Sequence, residues 1–285
     1  MRVTVKTKII AGLAVITLIG IFTMLLIYRG LKEVENDVHE LAQVQEPLIL
    51  AAYEMEINMN GIGLEVLKYL NTRNPRYRQL ATEDISDFNE FHAAYRKLIA
   101  SDEERALDAT ISKHFSEFVA LANSLMQRAD EQEGFFKRVS DGIEQIDEFI
   151  HGLQPGIVPN KGTIQSSFNK AIAAVRMEAE IAELGFWSAN YQRLQNPAFK
   201  REINEKITLF VKALADFQQH DLTARESETA RAVNGIFEQL KIGIDRVVEI
   251  EDSMAEQRER FIELRVSMDE MLDDQIQPLA RQHLD

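Results

Sequence analysis

Residues 102–150, DEERALDATISKHFSEFVALANSLMQRADEQEGFFKRVSDGIEQIDEFI, read as one unbroken helix, and the architecture follows from its length. At 1.5 Å per residue it spans about 70 Å, against about 35–45 Å for the helices predicted at 75–98, 163–193 and 197–219. Residues 224–284 read as a second rod of about 90 Å. Each rod carries a polar lull, Gln127–Glu133 in the first and Glu251–Arg260, apart from Met254, in the second. The first lull lies about 28 residues from the start of its helix and the second about 30 residues from the end of its own, so the two fall at one height. Rods of that length must each traverse two layers of shorter helices.

From Leu31 onward apolar residues recur at three- and four-residue steps, as in Val34, Val38 and Leu41 and later Met55, Met59, Ile62 and Val66. That is the period of a helix with one buried face. Breaks fall at Asn74-Pro75, near Ser101, at Gly152–Gly162, at Asn196-Pro197 and near Thr223. Asn74 and Asn196 read as N-caps, with Pro75 and Pro197 at the first helical position, where a missing N–H costs nothing. Ser101 with Glu104, and Thr223 with Glu226, have the spacing of capping boxes. The first soluble helix is expected at 31–72. A shift of 122 residues lays Ala52, Met55, Glu56, Gly63, Tyr69, Asn74 and Pro75 on Ala174, Met177, Glu178, Gly185, Tyr191, Asn196 and Pro197 without a gap. Phe88, Ala93 and Phe115 land on Phe210, Ala215 and Phe237, so the chain is an internal duplication.

Composition supports helices throughout. Only 13 Gly and 6 Pro are spread over 285 residues, too few for the turns of a sandwich or barrel. The net charge of −14 argues against a general nucleic-acid binder, which neutralises phosphates with Lys and Arg. Absence of Cys removes thiol catalysis and Cys-ligated zinc.

Ile9–Tyr28 holds no charged side chain over 20 residues, the length that spans ~30 Å of hydrocarbon. Phe22–Tyr28 offers no small-x-small cleavage site, so the stretch reads as an uncleaved anchor rather than a signal peptide. Arg2, Lys6 and Lys8 precede it, and the bias puts residues 1–8 in the cytoplasm and 29–285 outside. The expected fold is all-α: a transmembrane helix, then two stacked antiparallel four-helix bundles sharing the two rods. The proximal bundle takes 31–126 and 258–285, and the distal bundle 130–255. The Asn-Pro turns would face each other at the junction, with Gly152–Gly162 at the far end.

An N-terminal anchor, an acidic helical region and duplicated hairpins on two shared rods resemble the helical bimodular sensor domain of bacterial chemoreceptors and sensor kinases. The stretch Gly63–Tyr77, GLEVLKYLNTRNPRY, is similar to the helix-to-turn signature of four-helix sensor modules in receptors and cyclic-dinucleotide enzymes. The resemblance implies a periplasmic region in the bacterial inner membrane, working as a homodimer. Small carboxylates, or a periplasmic binding protein, would bind between helices and displace them toward a HAMP and output domain. No second span precedes Asp285, so the output is expected beyond it or on a partner. The alternatives are a membrane-anchored scaffold that docks a periplasmic protein, and a cytoplasmic rod of opposite topology.

A carboxylate inside a bundle needs Arg or Lys forks with hydroxyl or amide donors. The distal candidates are Arg176, Trp187, Asn190 and Tyr191. The proximal candidates are Lys68, Tyr69, Arg73 and Arg76, crowded with Arg78 at a helix-to-helix turn where an anion would meet a helix N-terminus. The plain alternatives are a snorkelling Arg176, a Trp187 packed in the core and a solvated charged turn. Gln257 interrupts the apolar stripe between Met254 and Phe261 and reads as a satisfied polar core residue. Glu148 and His151 form a single Glu-x-x-His, whereas a di-iron bundle needs that pair twice. No His-x-x-x-His face, phosphate loop or nucleophile elbow occurs, so no metal, cofactor or catalytic residue is expected and the chain reads as non-enzymatic.

Overall fold

The computed structural model describes residues 5–40, 42, 46–153, 164–194 and 196–282. Among them every regular element is a helix: α1 (Val5–Glu40), α2 (Glu46–Thr72), α3 (Pro75–Leu98), α4 (Asp102–Leu153), α5 (Ile164–Leu194), α6 (Ala198–Gln218), α7 (Ala224–Met271) and α8 (Gln277–Gln282). A π turn, Leu272–Ile276, joins the last two. The long rods pass unbroken through residues 130 and 255.

Helix ends follow the cap chemistry. Ser101 Oγ accepts the Glu104 N–H at 3.1 Å while Glu104 Oε2 accepts the Ser101 N–H at 2.8 Å. Thr223 and Glu226 repeat the exchange at 3.2 and 2.6 Å. Asn196 Oδ1 accepts the Ala198 N–H at 3.0 Å, and α3 opens on Pro75.

Over the helix expected at 31–72, α1 ends at Glu40 and α2 opens at Glu46, and of the residues between them only 42 is described, in π conformation. At the other end, Pro278 cannot bond the Asp274 carbonyl. The ladder there widens instead, with the Gln277 N–H bonded to the Leu272 carbonyl.

The stretch Ile9–Tyr28 lies wholly within α1. Its described side chains from Leu18 to Tyr28 include Ile21, Phe22, Met24, Leu25, Leu26 and Ile27, all more than half exposed. That piece covers about 16 Å of axis, half a bilayer core. Among the described residues no helix is long and apolar enough to cross a membrane. Residues 154–162 of the predicted Gly152–Gly162 loop lie outside the described residues.

Two compact units form. One draws on Met1–Glu65, Arg76–Val119 and Glu263–Asp285, the other on Val66–Pro75 and Ala120–Ile262, so α4 and α7 each contribute to both. In the first unit Met55, Met59, Ile62, Phe88, Phe118 and Met268 are sealed from solvent, and Phe88 stacks on Phe115. His92 Nε2 meets Asp108 Oδ1 at 2.7 Å, and the other Asp108 oxygen takes Arg96 Nε at 3.1 Å, so this buried carboxylate is satisfied twice. In the second unit Met177, Ile181, Leu184, Phe210, Val233 and Phe237 form the core, with Phe210 stacked on Phe237. Each such buried side chain contributes about 1.5–3 kcal/mol.

Candidate functional site

The two polar stretches of the rods meet inside the second unit. Gln132 Nε2 donates to Glu251 Oε2 at 2.7 Å, and Ser124 Oγ donates to Gln257 Oε1 at 3.0 Å. Arg258 pairs with the other Glu251 oxygen, and Arg73 Nη2 donates to Gln132 Oε1 at 3.2 Å. Gln132 is 2 % and Glu251 5 % exposed, so Arg73, Gln132, Glu251 and Arg258 form a connected polar layer in which the buried Arg258 Nε alone lacks a hydrogen-bond acceptor. Burial pushes the Arg73 guanidinium below its ordinary value against the opposing pull of Glu133, Tyr69, Asp130 and Glu251.

Beside this layer Lys200 pairs with Asp252 and lies 5.7 Å from the ring centre of Tyr191. Burial pulls the Lys200 ammonium down, yet Asp252 and Tyr191 hold it above its usual value. Burial likewise raises the Tyr191 phenol.

The sequence-predicted ligand residues are placed as follows. Arg176 is exposed on α5. Trp187 is half-buried between Phe186, at 5.1 Å, and Phe199, at 5.5 Å between ring centres. Asn190 donates to the Phe186 carbonyl of its own helix at 2.8 Å, and Tyr191 is sealed in the core. In the other group Tyr69 donates its hydroxyl to Asp130, and the half-buried Lys68 offers its carbonyl to the Thr72 hydroxyl at 2.8 Å. Arg73 adopts φ 55°, the left-handed conformation that ends a helix, with its N–H on the Tyr69 carbonyl at 2.8 Å and its guanidinium on the Leu70 carbonyl. Arg76 is exposed on the first turn of α3. Tyr69 and Arg73 therefore close a helix end and complete the polar layer, and Trp187 and Tyr191 pack the core. The four distal candidates do not converge on one cavity.

A sizeable concavity in this unit lies elsewhere, an open groove of about 790 Å³ between α4 and α7. Its lining is mostly apolar, with Phe135, Phe149, Ile236 and Ile242 among it, and it carries Arg138 and Arg231 beside Asp141, Gln145 and Gln239. The Arg138 guanidinium lies 4.2 Å from the centre of the Phe135 ring. Glycines leave the room: a Cβ at Gly235 would meet nothing within 4 Å, while one at Gly243 would press Val139 at 3.0 Å. The sequence signal was there in Gly142, Gly235 and Gly243, residues that weaken a helix interior unless something needs the space. A second, small hollow of about 10 Å³ lies among Phe136, Ser188, Tyr191 and Ile244, room for a single water beside the unbonded Ser188 hydroxyl.

His151, read with Glu148 as a chance pair, instead reaches across to α5, where its Nδ1 meets Glu178 Oε1 at 3.2 Å. Asp147, one turn before it, joins the same cluster. The i, i+4 residue Asp147 stands with His151 and Glu178 in this cluster, whereas Glu148 is at i, i+3 from His151. No protein-family model matches the sequence, and no curated protein matches it closely.

Proposed function

We propose that the chain is the sensing region of a bacterial membrane-anchored signal-transduction receptor of the chemoreceptor, histidine-kinase or diguanylate-cyclase type. In this reading Ile9–Tyr28 is the anchor, residues 29–285 are periplasmic, and two antiparallel four-helix bundles are stacked on the shared rods α4 and α7 of a homodimer. The region itself carries no catalysis. The observation that supports it best is that α4 and α7 are unbroken helices, each belonging to both compact units. A ligand that prefers one packing of α4 against α7 in the second unit then acts on rods that continue into the first.

The ligand surface is the α4/α7 groove rather than the turn at residues 68–76, because Arg73 at that turn is committed to the Leu70 carbonyl and to Gln132, and Arg258 in the polar layer to Glu251. An apolar trough carrying two arginines suits an amphiphilic carboxylate, the chain in the groove and the head on Arg138 or Arg231. Thermal unfolding of the full chain in detergent with a panel of mono- and dicarboxylates of increasing chain length tests this. A rise in midpoint that grows with chain length is expected, and no response across the panel defeats direct sensing. A phosphatase fusion at residue 285 reads the topology, active outside and silent inside.

One feature favours the second reading, a scaffold that docks a partner protein. The groove is open, and Phe149 and Ile242 on it are 41 % and 55 % exposed, so it also fits an apolar helix face. Copurification of a stoichiometric partner with no carboxylate response would decide for the scaffold.

A further inference from the structure

The cluster at the end of α4 is independent of the groove and of the sensing role. Asp147 and His151 stand one turn apart on α4, Glu178 stands on α5, and one donor atom from each lies within 4.8 Å of the others. Two donors each about 2.1 Å from one ion, separated by the 3.2 Å found between His151 Nδ1 and Glu178 Oε1, subtend about 100° at it, between tetrahedral and octahedral values. One imidazole with two carboxylates is the donor set of first-row divalent ions. The carboxylates are half-buried and the imidazole side chain is 63 % exposed, so an ion has a way in and water can fill its remaining positions.

We propose that Asp147, His151 and Glu178 bind a first-row divalent cation, zinc more tightly than manganese or iron, and that the ion ties the last turns of α4 to α5. The present His151–Glu178 contact gives way to two metal bonds, and the imidazole proton moves from Nδ1 to Nε2, so the ring stays neutral as its Nδ1 lone pair takes the ion.

The test is calorimetric titration of the chelator-stripped full chain with zinc chloride and with manganese chloride, alongside its thermal midpoint. One equivalent of zinc should bind and raise the midpoint, with manganese weaker. H151A and E178Q should each weaken zinc binding at least tenfold, while E148Q on the same helix leaves it unchanged. His151 is mostly exposed, so H151A does not threaten the fold, and its unaltered midpoint without metal checks this. No zinc uptake at micromolar concentration overturns the proposal, and so does uptake that H151A and E178Q leave untouched.

Discussion

Phe88 stacks on Phe115 with ring centres 3.6 Å apart and planes 11° from parallel, and 122 residues further along Phe210 stacks on Phe237 at 4.3 Å and 20°. The duplication visible in the sequence is thus kept as the same aromatic pair in each unit, on α3 or α6 against a long rod. All four rings are buried, so truncating one leaves a cavity as well as losing transfer energy. F88A and F210A should each cost about 3–5 kcal/mol in urea unfolding of the full chain. Costs differing by more than about 2 kcal/mol would show that the two pairs do not carry equivalent loads.

Lys170 and Glu226 form the most enclosed ion pair, with Nζ at 3.0 and 3.1 Å from the two carboxylate oxygens and both side chains under 5 % exposed. Burial pushes the Glu226 carboxyl up, but the Thr223 backbone and Lys170 outweigh it and hold the group below its ordinary value. K170M strands a buried carboxylate and should cost about 3–5 kcal/mol, whereas the double variant K170M/E226Q should cost clearly less. Because the folded carboxyl is the stronger acid, its stabilisation is present above about pH 4.3 and fades as pH falls below that. Acid unfolding of E226Q should therefore begin from a lower plateau and fall less steeply. Equal acid slopes for E226Q and the parent would refute the assignment.

Glu56 behaves in the opposite sense. Burial raises its carboxyl, Gln277 opposes this with a 2.7 Å hydrogen bond, and the nearby Asp273 and Asp269 raise it further. The folded state then holds more protons than the unfolded one just above about pH 4.3, so this group's contribution falls as pH rises through that window. E56Q keeps an acceptor for Gln277 and removes the crowded charge. Since the site is only half-buried, a gain of a few tenths of a kcal/mol at pH 7 is expected, vanishing at pH 4. A midpoint lowered by E56Q at pH 7 would count against this account.

Local chemistry was the most legible part of the sequence. Both capping boxes, the Asn196 cap and the unbroken rods follow from spacing and from residue type, which act within a few positions. The π turn at Leu272–Ile276 traces to Pro278, a one-residue signal inside an apolar periodicity that runs on through it. The candidate ligand residues were harder. Arg73, Tyr69 and Tyr191 are the right residue types for a carboxylate site, but whether a cation is spoken for depends on partners such as Gln132, Asp130 and Asp252, brought in from other helices. The same holds for His151, whose partner Glu178 is not on its own helix. Helix spacing shows which residues share a face and stays silent on what that face meets.

The groove gives a prediction in which stability and binding move in opposite directions. Gly235 lies exposed on α7 with open space where a side chain would grow. Replacing it with leucine removes a helix-weakening glycine, a gain of about 0.5–1 kcal/mol, and fills the trough between Phe135 and Ile236. G235L should raise the unligated midpoint and abolish the rise caused by the best carboxylate. R231Q, which leaves the trough open, should keep the unligated midpoint and weaken that carboxylate roughly tenfold, the loss of one charge-assisted contact. If G235L responds to the carboxylate as the parent does, the ligand sits elsewhere and the groove is left to a protein partner, for which the same substitution should block copurification.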